Sequence, residues 1–176
     1  MRLTSTRPPG TTATLPSAAQ AAEPRTPAPS FRWPVRVYYE DTDAGGVVYY
    51  ANYLRFFERC RTEWMRALGF GQHELAERDG VLFVVAAAEV KYLRPALLDD
   101  ELLVDAHIAE RYGSYVIFEQ EARRGDQVLC RSRMKVACVD VHSMRPTRLP
   151  AALAAVLSGT PGPAAPGAAS AGAAAP

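Results

Sequence analysis

The sequence is poor in the residues that build disulfide frameworks and metal centres. It holds three cysteines and three histidines among 176 residues. The cysteines are odd in number and lack C-x-x-C spacing, and the histidines are scattered without the spacing of metal ligands. We therefore expect free buried thiols in a reducing compartment, no metal site and no cofactor.

The sequence also lacks a dominant charge sign and a long apolar run. Its formal net charge is +1, and arginines near the N-terminus account for that excess. Such a balance argues against the broad basic surface of a nucleic-acid-binding protein. No stretch has the length of a membrane span or the apolar core of a signal peptide, so we expect a cytoplasmic protein.

Large apolar residues are scarce at both ends of the chain. Residues 1–30 are mostly Ala, Pro, Ser and Thr, and residues 159–176 contain only Gly, Ala, Pro, Ser and Thr. Segments of this composition bury too little apolar surface to offset the entropy cost of folding. We predict disordered tails over 1–30 and 159–176, with one folded domain over 31–158.

The stretch from residue 37 to residue 68 organises the rest of the chain. The alternation around residues 35–39 predicts a half-buried strand, and two glycines follow at positions 45 and 46. Apolar residues then recur at steps of three and four up to Leu68, which predicts a long amphipathic helix. Asn52 is the expected N-cap, and Gly69 is the expected stop.

The remaining sequence predicts a sheet with little helix to cover it. The patterns indicate a helical turn and a closing helix at 72–78 and 149–157, and strands at 81–91, 101–110, 114–124 and 127–139. Short turns favour antiparallel pairing, so we predict an α+β domain. The strand at 81–91 is apolar on both faces, as in a doubly buried strand or a subunit contact. We expect a homodimer or homotetramer.

A pair of carboxylates, Asp41 and Asp43, lies between the first strand and the helix. Unpaired backbone N–H groups at a helix start attract developing negative charge, so this junction is suited to chemistry. By default an aspartate before Gly-Gly is a turn or capping residue. We assign Asp41 to that structural role and retain Asp43 as the candidate for chemistry.

Two segments carry a resemblance to a known family. The runs FRWPVRVYYEDTDAGGVVYYANY (31–53) and FFERCRTEW (56–64) resemble the Tol-Pal system-associated acyl-CoA thioesterases, of the 4-hydroxybenzoyl-CoA thioesterase group of hotdog-fold proteins. The likeness continues through LRPA (93–96), LDD (98–100), CVD (138–140) and MRP (144–146). It covers residues 31–157 and neither tail.

The resemblance implies a hotdog fold, a long central helix wrapped by an antiparallel five-stranded sheet. It also implies hydrolysis of acyl thioesters of coenzyme A or acyl carrier protein in the bacterial cytoplasm. The catalytic carboxylate of the family falls on Asp43. The backbone N–H that polarises the thioester carbonyl falls at Tyr50.

The chemistry needs an activated water or a nucleophile, and donors for the tetrahedral oxyanion. Asp43 can act as base or nucleophile because an aspartate is ionised at neutral pH. Backbone N–H groups around Val48, Tyr49 and Tyr50 are the expected oxyanion donors. Gly45 and Gly46 are assigned to substrate binding because they let a ligand approach the main chain closely.

A row of basic residues lies on the last predicted strand. Arg133 and Lys135 are candidates for contact with the phosphates of coenzyme A or with an acidic carrier protein. The alternative interpretation is a solvated strand face.

Two other functions remain open at this stage. One is a non-catalytic module that binds acyl carrier protein or an envelope complex, against which the intact Asp43 argues. The other is a hotdog hydratase or dehydratase. Those lyases use a catalytic histidine near the acid, and no histidine follows Asp43 at the helix entry.

Overall fold

A computed structural model of the chain describes residues 30–159. Ser30 opens the first strand and Gly159 closes the last helical turn, so the folded part extends one residue beyond each predicted boundary. The rest of both predicted tails lies outside the described residues. Within the described range, no helix combines the length and the apolar character needed to cross a bilayer.

Every predicted helix and strand is present, with shifts of a few residues at the ends. The elements are β1 Ser30–Arg36, a 3₁₀ turn Tyr39–Asp41, α1 Asn52–Ala67, α2 Gln72–Asp79, β2 Val81–Tyr92, β3 Glu101–Arg111, β4 Tyr115–Arg124, β5 Gln127–Asp140 and α3 Ala151–Val156. The first strand begins and ends earlier than predicted. Pro34 lies within it and is tolerated because β1 is an edge strand that pairs only with β3.

The five strands form one sheet in the order β1-β3-β4-β5-β2, and all four pairings are antiparallel. The long helix α1 packs against one face of this sheet. The arrangement is the helix and wrapping sheet that the resemblance implied, so the predicted α+β hotdog fold is confirmed.

Side-chain alternation gives the sheet two unlike faces. The inner face meets α1: the ring of Trp64 lies edge-on to Phe118 at 5.9 Å, and Gln120 Nε2 donates to the Phe57 carbonyl at 3.0 Å. On β5 the predicted alternation is confirmed, because Met134 is buried on this face while Arg133 is exposed on the other. We call that second face the outer face.

The start of α1 differs from the prediction in one detail. Asn52 is the first residue of the helix, Ala51 occupies the N-cap position, and no side chain caps the helix there. The predicted cap is therefore wrong: the Asn52 side chain donates instead to the Asp41 carbonyl at 2.9 Å. The predicted stop is confirmed, since Gly69 follows the helix with a φ of +84°.

Strand β2 lies at the open edge of the sheet. In the single chain it is not buried on both faces, and Val85 and Tyr92 are 52% and 48% exposed. The cause is the position of α1, which packs on β1, β3 and β4. Of the two interpretations of this apolar strand, burial within one chain is wrong, and the subunit contact stays a prediction.

Candidate active site

A tight loop between the 3₁₀ turn and α1 holds Asp43 at its tip. Thr42 and Val48 form an antiparallel bridge that closes the loop. Inside it, the Asp43 N–H donates to the Val47 carbonyl at 2.9 Å, and the Gly46 N–H donates to the Asp43 carbonyl at 3.0 Å. Gly46 has a φ of +76°, which other residues adopt at a cost, so the sequence needs glycine at this turn.

The carboxylate of Asp43 is exposed and is oriented by one neighbour. Its Oδ1 accepts the Gly45 N–H at 2.8 Å. A Cβ added at Gly45 would lie 3.0 Å from that same oxygen, so a larger residue at this position would press on the carboxylate. Gly45 therefore both donates to the acid and leaves room for it.

Asp41, by contrast, is buried and holds the loop together. It is 3% exposed, and its Oδ2 accepts the Tyr38 N–H at 3.0 Å. Its carbonyl accepts both the Tyr49 N–H at 2.8 Å and the Asn52 side chain at 2.9 Å. These bonds fix the acidic loop to the start of α1, which is the structural role assigned to Asp41 from the sequence.

The backbone donors at the helix entry are fewer than the sequence led us to expect. The Val48 N–H donates to the Ala96 carbonyl at 2.9 Å, and the Tyr49 N–H is taken by Asp41. Neither is free for a ligand, and the Val48 side chain is buried. The Tyr50 N–H meets no acceptor anywhere in residues 30–159, so this donor alone of the three predicted ones remains available.

Three tyrosines surround this donor. The rings of Tyr49 and Tyr50 lie 4.5 Å apart, and the Tyr92 hydroxyl donates to the Tyr50 carbonyl at 3.1 Å. The adjacent side chain of Tyr50 raises the pKa of Tyr49, and the negative charge of Asp43 raises it further by a smaller amount. Asp43, Tyr49 and Tyr50 are all exposed, and the charge of Asp43 reaches Tyr49; their shared role in a site stays a prediction.

The segment 94–100 supports the site, and sequence reasoning assigned it no role. Leu97 bridges Val47, and the buried Tyr53 hydroxyl accepts the Ala96 N–H at 3.2 Å. Asp100 in turn accepts the Leu97 N–H at 2.8 Å and pairs with Arg124 at 2.6 Å. The LRPA (93–96) and LDD (98–100) runs, which belong to the family resemblance, overlap this segment and could have indicated its role.

The predicted phosphate-binding residues lie elsewhere. Arg133 is on the outer face, where it forms ion pairs with Glu110 and Glu119. Lys135 lies over the ring of Tyr115 at 4.1 Å from its centroid. Within one chain, the contacts of both side chains are thus with residues of β3 and β4, and none is with the loop that holds Asp43.

Cysteine and metal chemistry have no support in this part of the chain. Burial raises the pKa of Cys60 and of Cys130 to about 12, so both thiols are protonated and unreactive at neutral pH. Over residues 30–159, no three side chains of His, Cys, Asp or Glu lie close enough together to hold a metal ion.

Comparison with known proteins gives a consistent result. Residues 37–157 match the model of the thioesterase-like superfamily. The chain is 49% identical to the acyl-CoA thioesterase YbgC of Haemophilus influenzae over 120 residues, which cover 68% of this chain and 88% of the relative. It is 47% identical to the acyl-CoA thioester hydrolase YbgC of Escherichia coli O6:H1, over 71% of this chain and 93% of the relative.

A solved structure is also similar. The probable thioesterase from Bartonella henselae matches with a TM-score of 0.67 and 36% sequence identity, over 69% of this chain and all of that one. Further solved structures match at lower sequence identity, and they show similarity of the fold only.

The two aspartates of the loop should differ in their effect on stability. Asp41→Ala removes a buried side chain that accepts the partly buried Tyr38 N–H, and it should lower the free energy of unfolding by about 1–3 kcal/mol. Asp43→Ala, at an exposed position, should change it by less than about 0.5 kcal/mol. Urea denaturation followed by circular dichroism measures both, and equal losses would contradict the separate roles.

Proposed function

The chain belongs to the thioesterase-like superfamily and is an acyl-CoA thioesterase, and we propose that Asp43 and the Tyr50 backbone N–H carry out its chemistry. Water is added across the thioester, so that the acyl–sulfur bond breaks and the products are a free carboxylic acid and coenzyme A thiol. The single observation that carries the proposal is the free Tyr50 donor at the start of α1, directly after the loop that the Thr42–Val48 bridge closes around the exposed Asp43.

The Tyr50 N–H is the proposed donor to the thioester carbonyl. As this carbonyl becomes tetrahedral, its oxygen acquires negative charge that a backbone N–H and the positive end of a helix stabilise. The neighbouring N–H groups of Val48 and Tyr49 are already bonded within the protein, whereas at Tyr50 a substrate carbonyl would displace no internal acceptor.

Asp43 is the proposed base or nucleophile. As a base it removes a proton from the attacking water; as a nucleophile it forms a mixed anhydride with the acyl group, which water then opens. Coenzyme A leaves as a thiolate, a good leaving group that needs no strong general acid. Label found in Asp43 after a single turnover in ¹⁸O-labelled water would assign the nucleophilic role, with water opening the anhydride at the Asp43 carboxyl carbon, since the base route places the label only in the product acid.

Acyl carrier protein presents the same pantetheine thioester as coenzyme A, so this chemistry applies to either carrier. The relatives are named for acyl-CoA, and we propose acyl-CoA as the substrate. Assays with one acyl group on both carriers compare them directly. The association with the Tol-Pal system that the resemblance implied stays a prediction, as does location in the cytoplasm.

We also propose that the active unit is a homo-oligomer. Apolar and aromatic side chains lie exposed around the site and along the adjacent edge strand, including Tyr50 at 59%, Leu93 at 47% and Leu97 at 47%. An exposed apolar edge of this kind is usually covered in the working protein. A second copy packed there would shield the thioester from bulk water.

Asp43→Asn should abolish most of the hydrolysis. Losing a positioned base costs about 10²–10⁴ in turnover, so kcat should fall by at least about a hundredfold while acyl-CoA binding stays within about threefold. Release of free thiol, detected with a chromogenic disulfide, measures kcat. The control is Glu40→Gln, which neutralises an exposed acid in the same loop. Near-normal turnover by Asp43→Asn would reject the proposed role.

Gly45→Ala should impair catalysis by displacing the acid. The added Cβ would lie 3.0 Å from Asp43 Oδ1, so the carboxylate must move. A misplacement of about 1 Å can cost on the order of a hundredfold, and the smaller shift needed here should lower kcat about three- to tenfold with little change in KM. Gly113→Ala is the matched control, because a Cβ there meets nothing within 4 Å. Equal kcat values for the two variants would contradict this geometry.

The proposed oligomeric state can be tested by measuring the molecular mass of the protein in solution. Light scattering coupled to size-exclusion chromatography should give two or four times the chain mass of 19.2 kDa. A fully active monomer would contradict the proposal, because the exposed site would then work without a partner copy.

A further inference from the structure

The carbonyl of Tyr50 lies just before α1 and is bonded by a side chain rather than by the backbone. The helix begins at Asn52 with Ala51 as its N-cap, so the Tyr50 carbonyl precedes the first acceptor of the helix. No backbone N–H in residues 30–159 donates to it, whereas the Tyr92 hydroxyl does so at 3.1 Å.

The two peptide groups that flank Tyr50 are held in different ways. The group that carries its N–H ends in the Tyr49 carbonyl, which accepts the Asn52 N–H at 2.8 Å within the same turn. The following group contains the Tyr50 carbonyl, whose donor comes from a residue 42 positions away. Each peptide group is planar, so a bond to one of its atoms limits the orientation of the whole group. The bond from Tyr92 therefore ties the backbone of Tyr50 to the sheet.

The backbone of Tyr92 is firmly placed. Tyr92 is the last residue of β2 and pairs with the buried Cys130 of β5. The next two N–H groups, of Leu93 and Arg94, both donate to the Leu129 carbonyl, at 2.8 and 3.1 Å. The strand end that carries Tyr92 is thus held by main-chain bonds to β5 and its neighbour.

The ring of Tyr92 is also held. It meets the rings of Tyr53 and Tyr50 edge-on, with centroids 5.8 and 6.2 Å away, an arrangement that aromatic pairs prefer. Tyr53 is itself buried and accepts the Ala96 N–H. Partial burial is the main cause that raises the pKa of Tyr92, so its hydroxyl keeps the proton that it donates at neutral pH.

The hydroxyl of Tyr92 adds little that the fold requires. The residue is 48% exposed, and an exposed hydroxyl can bond to water instead, so the net gain in stability from this bond is small. Phenylalanine would supply the same ring contacts. What only the hydroxyl supplies is the bond that orients Tyr50.

We propose that Tyr92 is a positioning residue for the hydrolysis: its hydroxyl holds the Tyr50 backbone so that the adjoining N–H stays directed at the thioester carbonyl. The inference rests on the proposed function, because it takes the Tyr50 N–H as the oxyanion donor. Tyr92 acts through Tyr50 and touches no reacting atom. The bond lies within one chain, so a second copy packed on β2 leaves it intact.

The kinetic test is Tyr92→Phe in the full-length protein, assayed with hexanoyl-CoA and benzoyl-CoA by release of free thiol. Loss of a whole oxyanion donor costs about 10²–10³ in turnover, and a loosened donor keeps part of its effect. We expect kcat to fall about three- to tenfold, as for one hydrogen bond, while KM stays within about twofold.

Tyr112→Phe is the matched control. Tyr112 is 45% exposed, and its hydroxyl also makes one hydrogen bond, to Glu110 at 2.6 Å. Its ring stacks on Tyr115, away from the residues that hold Tyr50. This variant should keep kcat within about twofold of the wild type. Circular dichroism and chromatographic mass show whether both variants fold and assemble normally.

A spectroscopic test separates positioning from general support of the fold. In the Asp43→Asn protein, a thioester labelled with ¹³C at its carbonyl should stay intact while bound. Donation of a hydrogen bond lowers the stretching frequency of that carbonyl, so its infrared band should lie below its position in water. Adding Tyr92→Phe should move the band back toward that position, and adding Tyr112→Phe should leave it in place.

Wild-type kcat in Tyr92→Phe, or a lower kcat with an unmoved carbonyl band, would overturn the inference and leave the proposed function intact. A different result would reject the proposed function itself, and the inference with it. That result is a wild type that hydrolyses neither acyl-CoA, or an Asp43→Asn protein in which the band of the bound thioester lies where it does in water.

Discussion

The carbonyl of Asp41 is the point on which the site depends. It accepts hydrogen bonds from the Tyr49 N–H and from the Asn52 side chain, and so joins the acidic loop to the first turn of α1. The carboxylate of the same residue secures the preceding backbone at Tyr38. Because these groups are buried, breaking any of the bonds would leave a polar group without a partner. The position of Asp43 relative to the helix is therefore fixed by its neighbour.

The same bonding pattern determines which donor is left for a ligand. A helix start offers several N–H groups without intrahelical partners, and the surrounding chain has bonded those of Val48 and Tyr49. The Val48 N–H is bonded to the Ala96 carbonyl and the Tyr49 N–H to the Asp41 carbonyl, and these bonds hold the loop in place. The Tyr50 N–H is left unpaired. A rigid donor aimed at developing charge needs no reorganisation during the reaction, which is the condition for effective oxyanion stabilisation.

Periodicity was sufficient to predict most elements of this fold, because α1, β3 and β5 each have one buried and one exposed side. The alternation on β5 and the three- and four-residue steps of α1 both match the faces found. Periodicity could not predict hydrogen bonds and ion pairs between residues that are far apart in the sequence. Asn52 has the residue type of a cap, and only the folded chain brings the Asp41 carbonyl to its side chain. The acidic partners of Arg133 come from β3 and β4, which a local reading of β5 cannot include.

The offset of α1 from the middle of the sheet explains the remaining features together. A single helix about 10–12 Å wide covers two or three strands at a spacing of about 4.8 Å, and here it covers β1, β3 and β4. Strand β2 is left with α2 as its main helical contact and is only partly covered, although its sequence is as apolar as that of a buried strand. Its exposed surface begins beside Tyr50. A helix centred on the sheet would have covered it, and the exposed apolar edge on which the proposed homo-oligomer depends would then be absent.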